Sequence, residues 1–320
     1  MRFLKKRVER FSDLLRYVII IRPSRITYVI AIFIFKYLLH VLTGLLLVSN
    51  FDDVLKLFIW RKKEVVLKLR NNWGELKANF TDFLLWSRLF LRGVVIRGVG
   101  GKAFASYEGG IILSPSMRHT AVLTEPFEEL YHDSDFRGKR VLDVGGYLGE
   151  TAFLFHKWGA AHVTVYEPDF VLGKFAELNL KINNVNGSVR PLFVNASCSH
   201  KAVDWNTVLR EKFDIAKVDC EGCEVYLLDV ADEVLARVPE WVIECHTPKV
   251  LHKLGHRFSK AGFSVYFKPY YWTPSYSIVG KPLSLQNGRP KTPLTLLYAK
   301  YAVDNPMTTK PSNSIGSYDT

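Results

Sequence analysis

Val141-Leu-Asp-Val-Gly-Gly-Tyr-Leu-Gly-Glu-Thr151 is the stretch that decides the fold. It reads as an apolar strand, Arg140 to Val144, that breaks into a glycine turn and opens a helix running through Phe153 to Trp158. Such a turn lets backbone N–H groups approach a ligand closely at a helix N-terminus. Dinucleotide sites carry G-x-G-x-x-G at this place and seat a pyrophosphate on the positive helix end. Here Val144 stands where the first glycine of that pattern belongs, Asp143 sits at the strand tip, and Glu150 opens the helix. Two carboxylates suit a cation better than a pyrophosphate.

Outward from that turn, the chain alternates strand and helix. Strands are predicted at 139–145, 162–168, 189–197, 214–220, 240–246, 263–271 and 294–302, and helices at 150–158, 169–184, 204–212, 223–237 and 248–261. This spacing predicts an α/β fold with a mainly parallel sheet covered by helices on both faces. The last two strands leave no room for a crossover helix, so the final one is expected to be antiparallel.

Ligands of open α/β sheets bind beyond the carboxyl ends of the strands, so those ends are the candidate site. The first ends at Asp143-Val-Gly145. The second ends at Glu167, whose carboxylate could accept both hydroxyls of a ribose; the plainer alternative is a cap for the next helix. The third ends at Asn195-Ala196, a place for adenine contacts. The fourth ends in Lys217-Val-Asp-Cys-Glu-Gly-Cys-Glu224, with three carboxylates in six residues, and the fifth in Ile243-Glu-Cys-His246. Side chains alternate across a strand, so Lys217 and Asp219 share one face, and Glu244 and His246 share another. If these two strands are neighbours, Asp219, Glu221, Glu224, Glu244 and His246 converge.

The D-x-G-x-x-x-G form of Asp143, Gly145 and Gly149 resembles motif I of class I S-adenosylmethionine (SAM) methyltransferases. Together with Tyr166-Glu-Pro-Asp169, Asn179-Leu-Lys-Ile-Asn183 and above all Lys217-Val-Asp-Cys-Glu-Gly-Cys-Glu224, residues 125–302 are similar to the FkbM family of methyltransferases. The resemblance implies a seven-stranded class I (Rossmann-like) fold, SAM as methyl donor, and O-methylation of a hydroxyl on a sugar or natural product. It places cofactor contacts at Asp143, Gly145, Gly146, Gly149, Glu150, Glu167, Asn195 and Ala196. Gly146 departs from the alanine common in that family, and Cys220 and Cys223 from its small or aliphatic residues. The family's N-terminal territory is variable, so the acceptor does not transfer with the fold.

Methyl transfer is an in-line displacement, and a hydroxyl nucleophile gains roughly 10²–10⁴-fold from a base that takes its proton. Asp219 and His246 are the candidate bases, with Glu221 and Glu224 orienting the substrate or the base. A divalent cation on Asp219, Glu221, Glu224 or Glu244 is chemically reasonable but not favoured. Cys220-Glu-Gly-Cys223 is a C-x-x-C without the second pair a zinc site needs, so buried thiols are expected, a disulfide being the alternative. The aromatic run Lys268–Tyr276 is a candidate substrate lid, and Glu125 to Tyr131 a short helix walling the site. Two other function classes are open: a nicotinamide-dependent oxidoreductase, and a membrane-associated scaffold whose enzyme domain is inactive.

The charge balance divides the chain. Its 320 residues carry a net charge of +12, yet residues 1–70 hold 15 Lys/Arg against 5 Asp/Glu and the rest 28 against 26. The nearly neutral catalytic part argues against a nucleic-acid partner. Met1 to Arg25 reads as a basic amphipathic helix that suits an anionic membrane surface, and Ile26 to Ser49 is strongly apolar. The expected layout is a basic, apolar helical region at 1–63, a β-rich connection at 64–124 that begins with a hairpin over 64–80, the methyltransferase domain at 125–303, and a disordered tail at 304–320. Placement at the cytoplasmic face of a membrane through residues 1–60 is favoured over a single span and over a helix packed on the enzyme. The expected substrate is a small molecule, a glycan or a lipid-linked saccharide.

Overall fold

The structure is a computed structural model and describes residues 38–59, 63–99, 102–131, 133–196, 199, 201–270 and 294–301. The expectations for Met1–Arg25, for the apolar run up to residue 37, for loop residues 271–276 and for the tail lie outside the described residues.

A helical segment at 38–47 and α1 (Phe51–Phe58) lead into an antiparallel hairpin of β1 (Val65–Lys68) and β2 (Glu75–Ala78), as the alternating pattern predicts. Next comes α2 (Phe80–Leu91), which the sequence reading passed over. Its start is set by a reciprocal cap: the Asn79 side chain accepts from the Asp82 N–H, and the Asp82 carboxylate accepts from the Asn79 N–H. The strands β3 (Val95–Val99), β4 (Lys102–Tyr107) and β5 (Gly110–Ser114) form a three-stranded antiparallel sheet. A 3₁₀ turn (Met117–Thr124) and α3 (Phe127–Tyr131) then reach the main sheet.

That sheet uses β6 (Arg140–Val144), β7 (His162–Tyr166) and β8 (Gly187–Arg190) with α4 (Glu150–Lys157) and α5 (Phe170–Ile182) as crossovers. A small parallel pair, β9 (Phe193–Asn195) with β10 (Ala202–Asp204), and the short α6 (Trp205–Val208) follow. The sheet resumes with β11 (Ile215–Val218). A 3₁₀ stretch (Cys223–Asp229), α7 (Asp232–Leu235), β12 (Glu240–Cys245), α8 (Pro248–Lys260), β13 (Phe263–Tyr270) and β14 (Leu294–Tyr301) complete it. The seven strands lie in the order β13-β14-β12-β11-β6-β7-β8, with β14 antiparallel to both neighbours and the other pairings parallel. This is the α/β class I methyltransferase architecture, with the final strand reversed.

Three expectations need correction. The third strand of the sheet is Gly187–Arg190, and residues 193–195 leave it to pair with β10. The helix expected over 204–212 ends at Val208. The helix expected over 223–237 is two pieces, because Val230 and Ala231 adopt extended backbone between them.

Side-chain alternation gives the sheet two cores. Val141, Val163, Ile215 and Val242 face one, where Phe155 of α4 and Phe83 and Trp86 of α2 are also buried. Leu142, Ala216, Trp241 and Leu297 face the other, against Trp205, Leu254 and Phe258. Two asparagines one helical turn apart fasten β5 to α5. Asn179 accepts from the Leu113 N–H and donates to the Leu113 and Leu148 carbonyls, and Asn183 exchanges the same pair of bonds with Ile111. Because Leu148 lies in the glycine turn, Asn179 ties the three-stranded sheet directly to the site.

Candidate active site

Strand order reverses at the junction of β6 and β11, and a cavity of about 450 Å³ opens there beyond the carboxyl ends. Its volume is in the range of small-molecule sites. Gly145 forms part of its floor with φ of +79°, and a Cβ on it would sit 1.7 Å from the Asp219 carbonyl oxygen. Only glycine lets the turn pass beneath the end of β11. A Cβ on Gly146 would come within 2.2 Å of Val165 Cγ1, so Val165 occupies the room that an alanine there would need. Gly146 and Gly149 shape the turn and do not line the cavity.

Asp143 is completely buried and does not line the cavity either, contrary to a direct role as ligand. Its Oδ2 accepts from the Thr151 hydroxyl at 2.5 Å, and its Oδ1 lies 3.0 Å from Lys217 Nζ. Lys217 also donates to the Gly145 carbonyl at 2.9 Å. Burial alone would lower the Lys217 pKa, but the charges of Asp143, Asp219 and Glu150 outweigh it and hold the ammonium protonated. Lys217 thus clamps strand tip and glycine turn together. The sequence contains the signal for this role, since Lys217 and Asp219 share a face, but the partner on β6 is visible only once the strands are paired.

Glu150 and Glu167 do line the cavity. Burial pushes Glu150 up to about 8, against the opposing pull of Lys217. The Glu167 oxygens accept from the Tyr147 and Asp169 N–H groups, each at 2.9 Å, which holds the carboxylate rigidly at the end of β7. Asp169 caps α5, accepting from the Leu172 N–H, so Glu167 is spared the capping role that was its plainer reading. Asn195 and Ala196 do not line the cavity; Leu192, Phe193 and Val194 do, because β9 turns off to meet β10. Glu125, just before α3, is a wall residue that carried no assigned role. Burial raises its pKa well above the carboxylate range, and the charges of Asp219, Glu150 and Glu244 raise it further.

Asp219 and Glu221 line the cavity and connect it to a second cluster. His246 Nδ1 lies 3.1 Å from Glu224 Oε1, while Nε2 lies 3.3 Å from Glu221, 3.7 Å from Glu244 and 4.0 Å from Asp219. The five residues expected to converge here do so. Bonds to Glu221 and Glu224 carry the His246 pKa up to about 11, so the ring is an imidazolium at neutral pH. Burial works against the Glu224 charge, but His246 and the Gly222 N–H hold it below its ordinary value. Burial raises the Asp219 pKa. The ligand atoms of Asp219, Glu244 and His246 lie within 4.8 Å of one another and could hold a divalent cation only after His246 gave up its proton.

The turn between them is closed by a disulfide, Cys220–Cys223, with a Cα separation of 5.5 Å. This corrects the expectation of buried thiols for that pair. Whether a C-x-x-C can close depends on the intervening backbone, here Glu221 at φ of +54° and Gly222 at +122°, which the sequence does not display. Cys245 is a buried free thiol, its pKa pushed up to about 12 by burial.

No protein-family model matches the chain, and no curated protein matches its sequence. Among solved structures, TYW2 of M. jannaschii in complex with AdoMet is 13% identical over 64% of this chain and 88% of its own, with a TM-score of 0.40. A methyltransferase from Pyrococcus furiosus is 18% identical over 56% of this chain and 85% of its own, with a TM-score of 0.38. A precorrin 8w decarboxylase from Methanobacterium thermoautotrophicum is 15% identical over 54% and 86%, with a TM-score of 0.38. One of these three is a methyltransferase by name and another is in complex with AdoMet; at such similarity the strand order, not the likeness, carries the fold assignment.

Proposed function

We propose that the protein is a SAM-dependent methyltransferase of the FkbM type that methylates a hydroxyl of a sugar, glycan or lipid-linked saccharide. The observation that carries the reading is the chemistry of the cavity wall. Glu125, Glu150, Glu167, Asp219 and Glu221 line it, against Lys217 and Arg118 as the cationic residues. A wall so rich in carboxyl groups, those of raised pKa losing their protons as a cation binds, favours a cationic ligand and disfavours a diphosphate. Glu167, with its two oxygens fixed by backbone N–H groups, suits the hydroxyls of a ribose. Glu150 and Asp219 face the cationic portion of such a ligand. SAM, when bound, supplies an electrophilic methyl group.

Asp219 is the preferred base. It lines the cavity, and burial raises its pKa against the pull of Lys217 and His246, which suits a group that must take a proton from a weakly acidic hydroxyl. In the reaction the methyl group would leave the donor sulfur, which departs as a neutral thioether, for the hydroxyl oxygen, and the hydroxyl proton would pass to the Asp219 carboxylate. His246 enters with its proton already in place, so its role is to hold Asp219, Glu221 and Glu224 in position as a donor and counter-charge.

The test is incubation of the full chain with methyl-tritiated SAM and separate glycan, lipid-linked saccharide and small-molecule fractions of a cell extract. Label is expected in a saccharide-bearing fraction, in a form stable to mild base as an ether is. Label confined to protein or nucleic acid would overturn the acceptor assignment.

A further inference from the structure

The helical segment at 38–47 is apolar on two opposite sides. Thr43, Gly44 and Leu47 are buried against the protein, and His40 is tied to it through a bond from its ring to the Ser87 hydroxyl at 2.8 Å. On the other side Leu38, Leu42, Leu45 and Leu46 are 52%, 45%, 43% and 64% exposed. At 100° per residue these four leucines fall within an arc of about 100°, so they form one stripe. A helix on the outside of a protein ordinarily presents polar residues there. Four exposed leucines on three turns are a contiguous apolar patch that calls for a partner.

We infer that this leucine face rests on an anionic lipid surface. The charge and composition of the adjoining chain select that occupant. Directly before Leu38 the sequence runs Ile26-Thr-Tyr-Val-Ile-Ala-Ile-Phe-Ile-Phe-Lys-Tyr37, eight of whose residues are aliphatic or phenylalanine, so the apolar character continues, interrupted chiefly by Lys36. Before that, residues 1–25 hold eight Lys/Arg against two Asp/Glu. Leucine-rich surface beside concentrated positive charge is the combination that binds anionic membranes, apolar insertion and electrostatic attraction adding together. A second protein copy would explain the leucines but not the charge. Among the described residues no helix is long and apolar enough to cross a membrane. The inference is independent of the chemistry at the cavity, since it uses none of the same residues.

The experiment is flotation of the full chain with phosphatidylcholine vesicles, with and without about 30% phosphatidylglycerol, at low and high salt. The wild type is compared with Leu42→Ser/Leu46→Ser, which changes no charge. The wild type is expected to float with the anionic vesicles, and the double variant to bind them at least about tenfold more weakly, the loss expected for two partly inserted leucines. Unchanged thermal unfolding shows that the variant is folded. Equal partitioning of variant and wild type would overturn the inference and leave binding to residues 1–37. Loss of a lipid-free oligomer in the variant with vesicle binding intact would overturn it in favour of a second copy.

Discussion

Lys217 Nζ lies 3.0 Å from Asp143 Oδ1, and the two residues are register partners on the adjacent parallel strands β11 and β6. Both side chains are almost wholly buried, and the same ammonium group holds the Gly145 carbonyl. The site is therefore built on a charge pair at the base of the cavity, with further carboxyl groups facing into it.

Removing one member of such a pair leaves a buried charge without compensation. Lys217→Met is expected to cost about 3–5 kcal/mol of unfolding free energy, measured by urea denaturation. Asp143→Asn/Lys217→Met should recover part of that loss. A single variant as stable as the wild type would show that the pair does not hold the turn.

Glu150 gives the binding of a cation a pH dependence. With its pKa raised to about 8, its carboxyl is neutral below that value and anionic above it. SAM affinity should therefore increase as pH rises toward 8, by at most about tenfold per unit, with proton release on binding below it. Calorimetry in buffers of different ionisation enthalpy reads both effects. Glu150→Gln should flatten most of the dependence, the remainder belonging to Glu125 and Asp219, whose pKa values are also raised.

His246 should separate catalysis from binding. His246→Gln is expected to lower kcat on the order of 10–100-fold while leaving SAM affinity within a factor of a few, because the ring does not line the cavity. Its effect on stability follows from the raised pKa. The stabilising contribution is complete below the unfolded value of 6.5 and is lost as pH rises through about 11. The stability gap between wild type and His246→Gln should close across that window. A gap that widens with pH would contradict a protonated ring.

Asn179 makes three hydrogen bonds from a fully buried side chain. Asn179→Ala should cost about 3 kcal/mol at roughly 1 kcal/mol per bond, and the more exposed Asn183→Ala distinctly less. Hydrogen exchange at Leu113 and Leu148 is expected to report the release of β5 and of the glycine turn.

What could be read from the sequence was local or periodic. The turn at 145–149, the strand ends at Glu167 and Asp219, and the reversed last strand each follow from a short pattern and its neighbours. What escaped depends on long-range geometry. Phe193–Asn195 has the alternation of a strand, and it is one, but its partner is β10 rather than β7 of the main sheet. The Asp143 carboxylate looked available for a ligand because its Lys217 partner lies 74 residues further on. His246 looked like a base because the carboxylates that keep it protonated, Glu221 and Glu224, come from the segment that follows β11. One missed element had a local signal after all: Asn79 and Asp82 form a capping box that announces α2.

The most direct test of the central claim is titration of the full chain with SAM and, separately, with NAD, for the wild type and Glu167→Gln. The account predicts saturable SAM binding that weakens at least about tenfold in the variant, as expected when a charged group loses its hydrogen-bonding role, and no heat from NAD. Saturable binding of NAD with none of SAM would contradict it.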